Sequence, residues 1–288
     1  MKLVSFLGDN RRRFGAIVDD KIFDLTDIEV DGQLQNGLKD VLGNESALIE
    51  LERLLSEGNQ PEFGLDDVSY MLPIPDPHKI FCVGRNYRAY HEVLEDGRPD
   101  WPSIFPRFVD SFSAHQESII RGKDDGDQLD YEGELVAVIG KHARHVREED
   151  ALSFVGGYTI ANEGSVRNWI GRGTQNCPVK NQWRSGSMGP WIVTAEEVPD
   201  PSALKIHTQV NGETRQNGGT DMMIFDLPFV ISYISRFTPL SPGDCICTGS
   251  PGGSAIEHDP PGYLVPGNIL EVSIGGIGTL RNMIQAER

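Results

Sequence analysis

Glu132 and Glu134 stand two residues apart at the start of Asp130-Tyr131-Glu132-Gly133-Glu134-Leu135-Val136-Ala137-Val138-Ile139-Gly140. Leu135 to Ile139 is an apolar run of strand length stopped by a glycine, so the stretch predicts a β-strand. Residues i and i+2 of a strand point to the same face, about 6.5 Å apart, so both carboxylates aim at one point. Two anions on one face repel each other and are costly to desolvate unless a cation or a proton lies between them. The pair therefore reads as a divalent-metal site or, since paired surface acids are common, as two solvated carboxylates at an exposed strand start. The predicted strand Val155 to Ala161 ends in Asn162-Glu163, and a carboxylate just past a buried strand is a frequent ligand position. His91 and Glu95 are i, i+4 in a stretch of helix formers that closes at Asp96-Gly97-Arg98-Pro99. On a helix they face each other, either as a His–carboxylate pair for proton transfer or as a surface ion pair. Gly249-Ser250-Pro251-Gly252-Gly253 opens from a strand ending at Thr248, and such a loop brings backbone N–H groups close to an anion. No Gly-Lys-Ser/Thr follows, so it is not a P-loop.

The elements that must hold these groups fall into two parts. Residues 1–72 read as a small N-terminal α+β unit. It has strands over Lys2 to Leu7, Phe14 to Val18 and Lys21 to Leu25, then a helix over Gly37 to Leu55 with Leu48, Leu51, Leu54 and Leu55 on one face. Leu72-Pro73-Ile74-Pro75-Asp76-Pro77 is a linker, because its prolines forbid helix and sheet interior alike. Residues 73–288 read as a larger, mostly β domain. Lys79 to Gly84 predicts a buried strand, Lys205 to Val210 a strand turning at Asn211-Gly212 into Glu213 to Gln216, and Phe225 to Arg236 an amphipathic helix. Ile269 to Ile274 and Gly278 to Met283 close the chain as strands. The pattern gives an α+β, mostly β fold.

The chain has 288 residues, 38% of them hydrophobic, and a formal net charge of −17. That surface repels nucleic acid and anionic membranes, so neither is expected as a partner. It also repels an anionic substrate, so a pocket for one has to be locally cationic. No apolar run approaches the roughly 20 residues of a membrane span, and Met1 to Leu7 is too short for a signal peptide. Cys82, Cys245 and Cys247 lie in apolar strand-like runs, which suggests buried reduced thiols. These features point to the cytoplasm.

The ordered set of motifs resembles the fumarylacetoacetate hydrolase family, in its bacterial and mitochondrial branch of acylpyruvate-type hydrolases. The resemblance covers roughly Lys79 to Met283. It rests on Val83-Gly84-Arg85-Asn86-Tyr87, the Glu132-Gly133-Glu134 strand, Gly157-Tyr158-Thr159-Ile160-Ala161-Asn162-Glu163 with Ser165 and Arg167, Lys180, Met188-Gly189-Pro190-Trp191, Asn211-Gly212-Glu213 with Gln216, Asp221-Met222-Met223-Ile224-Phe225, Ser241-Pro242-Gly243-Asp244 and Thr248-Gly249-Ser250-Pro251-Gly252-Gly253. It implies a mixed β-sandwich roll for the C-terminal domain, a homodimer, and Mg²⁺ or Mn²⁺ held by Glu132, Glu134 and Glu163. It implies Lys180 as the active-site lysine and His91 with Glu95 as the hydrolytic base. Arg85, Tyr87, Arg107, Thr248 and Gly249 are implied to meet the substrate, a small anionic keto acid. The implied activity is metal-dependent hydrolysis of a carbon–carbon bond in a 2,4-diketo acid of the acylpyruvate or fumarylpyruvate type. The alternative is a non-hydrolytic reaction on the same site: oxaloacetate decarboxylation, keto-acid dehydration, or isomerisation of the 2-hydroxyhepta-2,4-diene-1,7-dioate type. Relatives carry aspartate where Glu163 stands, Arg-Asp at Arg167-Asn168 and glutamine at Ile170. They place the helix histidine four residues after the asparagine of Asn-Tyr, where Tyr90 stands here and His91 comes next.

Overall fold

A computed structural model of the chain describes residues 1–57, 63–88 and 99–288, and these are mostly β. Their main sheet has twelve strands. Its path runs Phe63–Gly64, Lys21–Asp24, Arg11–Val18, Lys2–Gly8, Gly186–Thr194, Val155–Asn162, Gly133–Ile139, Cys245–Cys247, Ile80–Gly84 and Ser103–Pro106. A second sheet of five strands runs Ile119–Arg121, Gly278–Ala286, Ile269–Ile274, Lys205–Val210 and Glu213–Gly219.

The strand Gly133–Ile139 is buried on both faces, which is why it reads as a continuous apolar run rather than an alternating one. Leu135, Ala137 and Ile139 pack with Ile206, Val272, Ile274 and Leu280 of the second sheet and with Val230, Ile231 and Ile234. Val136 and Val138 pack on the opposite side with Leu3, Leu38, Val41 and Leu51. Each such side chain, fully buried, contributes about 1.5–3 kcal/mol. Glu132 and Glu134 continue the Val136–Val138 face toward the start of the strand.

Residues 1–72 share this sheet and this second core with the residues beyond them. Lys2 pairs with Val193 and Leu3 with Ile192 across adjacent antiparallel strands. The helix expected over Gly37 to Leu55 is two helices, Leu38–Leu42 and Glu45–Ser56, because Gly43 ends the first and the Asn44 side chain caps the second through the Ala47 N–H at 3.4 Å. The helix expected over Phe225 to Arg236 runs Leu227–Phe237. Asp226 caps it through the Phe229 N–H at 2.9 Å, and Pro228 sits in its first turn. The Asn211-Gly212 hairpin forms with φ of 52° and 79°, as a type I′ turn requires. Its second strand extends to Gly219. Cys82, Cys245 and Cys247 are buried free thiols. No helix among the described residues is long and apolar enough to cross a membrane.

Candidate metal centre and active site

The alternating strand geometry delivers what the spacing of the two glutamates predicts. Gly133 pairs with Asn162, so the start of one strand lies beside the end of the next, and the Glu163 N–H donates to the Glu132 carbonyl at 2.7 Å. That register brings Glu163 against the Glu132–Glu134 pair. Each of the three offers a carboxylate oxygen within 4.8 Å of the other two, and all three residues are buried. Among the described residues this is the one group of three metal-ligating side chains that converges in this way. The solvated-acid reading of Glu132 and Glu134 is thereby set aside.

Gly133 is the hinge of the arrangement. A β-carbon there would lie 2.3 Å from Thr208 Oγ1 and 2.8 Å from Val272 Cγ1, so the second sheet rests directly on its backbone. The Gln216 side chain accepts from the Gly133 N–H at 2.9 Å and donates to the Pro251 carbonyl at 2.7 Å, tying the strand to the glycine-rich loop. Two glutamates thus point one way from a backbone pinned from the other.

Three cations face the acids. The short helix Cys177–Lys180 ends on Lys180, whose ammonium bridges Glu132 and Glu163, the latter at 2.9 Å. Burial works against that charge, but the two carboxylates outweigh it and hold the Lys180 pKa above its ordinary value. Arg107 lies wholly behind Glu163. It donates to the Gly164 carbonyl at 3.1 Å and to Ser185 Oγ at 3.2 Å, with Glu163 at 3.5 Å. Arg167 donates to Glu132 Oε1 at 2.6 Å and to Asp130 Oδ2 at 2.8 Å. Burial raises the Glu132 pKa, but Lys180 and then Arg167 overcome this and hold it well below the usual carboxylate range. Burial and then the charge of Glu163 push Glu134 well above that range.

This donor set fits a hard divalent cation. Three carboxylate oxygens on one face, in a cavity open to further oxygen ligands, match the chemistry of Mg²⁺ or Mn²⁺. Glu134 receives one backbone donor, the Gly249 N–H at 2.9 Å, and the repulsion of Glu163 outweighs the pull of Lys180 on it; a cation among the three acids offsets that repulsion.

The triad and Lys180 line a cavity of about 440 Å³ together with Arg85, Phe105, Arg167, Gly249, Ser250 and Ser254. Two cavities of about 490 Å³ beside residues 33–40 are larger, but neither converges three ligating groups. Of the residues expected to meet substrate, Arg85 and Gly249 line the triad's cavity. Tyr87 is fully buried in the core, and Arg107 stands behind Glu163. The Thr248 hydroxyl donates to the Leu135 carbonyl at 2.9 Å. The amides of the glycine-rich loop meet carboxylates of the chain itself: Gly249 donates to Glu134, and Gly253 and Ser254 donate to Glu257. His91 and Glu95 lie outside the described residues.

The same fold recurs in solved structures. A family model described as "Fumarylacetoacetate (FAA) hydrolase C-terminal" matches residues 79–285. The chain belongs to the fumarylacetoacetate hydrolase family. Members of this family are enzymes, many of them metal-dependent. Oxaloacetate tautomerase YisK of Bacillus subtilis is 34% identical over 96% of this chain and 97% of its own length. The fumarylacetoacetate hydrolase of psychrophilic Exiguobacterium antarcticum superposes with a TM-score of 0.82 at 31% identity, covering both chains fully. Maleylpyruvate hydrolase from Sphingobium sp. SYK-6, solved in complex with manganese (II) ion and pyruvate, superposes with a TM-score of 0.83 at 27% identity over the whole of both chains.

Sequence reasoning gave no role to Asp130 and quoted Asn86 and Gln216 only as members of motifs. Asn86 is buried and ties three segments together. It donates to the Phe225 and Thr248 carbonyls at 2.9 and 2.8 Å and accepts from the Phe225 N–H at 2.9 Å. These partners lie more than a hundred residues away in sequence, so no local spacing could have shown them.

Proposed function

We propose that this chain is a divalent-cation-dependent enzyme acting on a short anionic 2-oxo acid through its enol form, and that its reaction is keto–enol tautomerisation of the oxaloacetate type. The observation that carries this reading is the buried carboxylate triad with the Lys180 ammonium bridging two of its members. A divalent cation held by Glu132, Glu134 and Glu163 supplies Lewis acidity toward the oxygens of a 2-oxo acid. Lys180, whose pKa its two carboxylates raise, offers a positive charge and a donor for an oxygen that becomes negative. Arg85 adds a third cationic group to the wall beside Lys180 and Arg167, suited to a substrate carboxylate, and Gly249 shapes the floor through Glu134. Phe105 and Val179 limit water around these charges, which strengthens them. Interconversion of keto and enol needs stabilisation of an enolate and proton exchange at carbon. It does not need a positioned nucleophilic water. The name of the 34% identical Bacillus relative supports the same choice.

Hydrolysis of a carbon–carbon bond in an acylpyruvate-type diketo acid is the second reading. It is favoured by the likeness to the maleylpyruvate hydrolase solved with manganese and pyruvate, and it assigns the water-activating role to His91 and Glu95. The two are separated by supplying the enol form of oxaloacetate and a series of acylpyruvates with Mg²⁺ or Mn²⁺. Loss of enol absorbance and release of pyruvate are followed side by side. Accelerated, chelator-sensitive loss of the oxaloacetate enol without pyruvate release is expected. Pyruvate release from the diketo acids alone would put hydrolysis in its place, and no response to any of them would remove both. A homodimer is proposed on the family's pattern and is checked by light scattering.

A further inference from the structure

Asp130 has no exposed surface, and its two oxygens accept four hydrogen bonds. Oδ1 takes the N–H groups of Tyr131 at 2.7 Å and Ala255 at 2.6 Å; Oδ2 takes the Ile256 N–H at 3.2 Å and Arg167 Nε at 2.8 Å. The same guanidinium passes Nη2 on to Glu132 Oε1 at 2.6 Å. The planar fork of arginine suits this double engagement, since its donors are fixed in relative direction. Ser254 and Ile256, which also line the cavity, belong to the loop whose backbone Asp130 holds. One buried carboxylate and one guanidinium therefore join the cavity wall at residues 254–256 to an oxygen of the acid triad.

We infer that Asp130 and Arg167 are positioning residues that reserve Oε1 of Glu132, so that a cation would take Oε2, the oxygen Lys180 also meets, and that couple this ligand to the 254–256 wall. The inference rests on the reading of the triad as a cation site. Groups that orient a ligating carboxylate in this way typically change metal affinity by about 10–100-fold when removed. Because the two act in series on one oxygen, losing both costs no more than losing either.

The test is Mn²⁺ titration of the full chain, read by the electron paramagnetic resonance signal of free Mn²⁺, for wild type, Asp130→Asn, Arg167→Gln and the double variant. Affinity about 10–100-fold weaker in each single variant, with no further loss in the double, is the expected result. A second readout is amide exchange at Ala255 and Ile256. Added Mn²⁺ slows it in wild type and leaves it unchanged in Arg167→Gln, a difference that a purely structural role would not produce. If Asp130→Asn does not fold, Arg167→Gln carries both measurements. Wild-type affinity in the single variants, or losses that add in the double, overturns the inference while the cation site stands. Absence of Mn²⁺ binding by the wild type overturns the cation site and the inference with it.

Discussion

At Gly133 the backbone of the central strand touches the second sheet, and the space for a side chain is already filled by Thr208 and Val272. Gly133→Ala forces a methyl group into that contact and is expected to destabilise the fold by about 1–3 kcal/mol, read as a lowered thermal midpoint. An unchanged midpoint would contradict the close approach. Lys180→Met removes the ammonium between Glu132 and Glu163 and keeps the bulk of the side chain. It should reduce kcat/KM by about 10²–10³-fold, the scale of a lost electrostatic donor, and a variant of wild-type rate would exclude the role given to Lys180. Glu134 carries the pH dependence. Its folded pKa lies above the unfolded value, so in the absence of a cation it costs no stability below the unfolded pKa and becomes destabilising as pH rises through the folded one. A cation relieves that cost. The thermal stabilisation given by Mn²⁺ should therefore be larger at about pH 8 than at about pH 5, and equal shifts at both would count against Glu134 as a ligand.

The strand Gly278–Ala286 is joined to the segment before Ile119 through His115. Its Nδ1 accepts the Arg281 N–H at 3.1 Å, and its ring meets Tyr70 edge-on at 4.6 Å. Burial and then the Arg281 charge lower the His115 pKa from 6.5 to about 4, so the folded chain keeps this ring neutral. The unfolded chain binds the proton more readily, and stability is lost as pH falls from 6.5 toward 4. His115→Gln should flatten that acid limb in urea midpoints measured across the range; a limb of unchanged slope would place its origin elsewhere. Elements of this kind differ in how much of them the sequence discloses. The Glu-x-Glu strand was legible because side chains alternate with period two, and the Asn211-Gly212 hairpin because few residues accept its dihedrals. The break at Gly43 was not, since an isolated glycine in a helical pattern is often tolerated. Asp130 was invisible as a hub, because its partners Arg167, Ala255 and Ile256 are 37 to 126 residues away and no periodicity encodes them.

On the scale of the whole molecule, residues 1–72 are stitched to the rest by the pairing of Lys2–Gly8 with Gly186–Thr194 and by the shared core of Leu3, Val136, Val138 and Ile192. Proline-rich composition at residues 72–77 marks a turn in the chain but carries no information about strand pairing 190 residues apart. A fragment of residues 73–288 would expose that strand edge and its own side of the second core, so it is expected to aggregate, while the full chain unfolds in one calorimetric transition. A stable fragment that still binds Mn²⁺ would refute this. The two-sidedness of the Gly133 strand has a consequence for how such a protein diversifies. One side of the strand is committed to the acids and the other to a neighbour with no room to spare, so drift in the strand itself has almost nowhere to go. New substrate preferences have to arise at exposed lining positions such as Ile170, Asn176 and Ile256, where a side chain can be exchanged without disturbing a packed layer. A lineage built this way keeps its reactive centre and varies the rim, which accords with relatives named as a hydrolase and as a tautomerase on one scaffold.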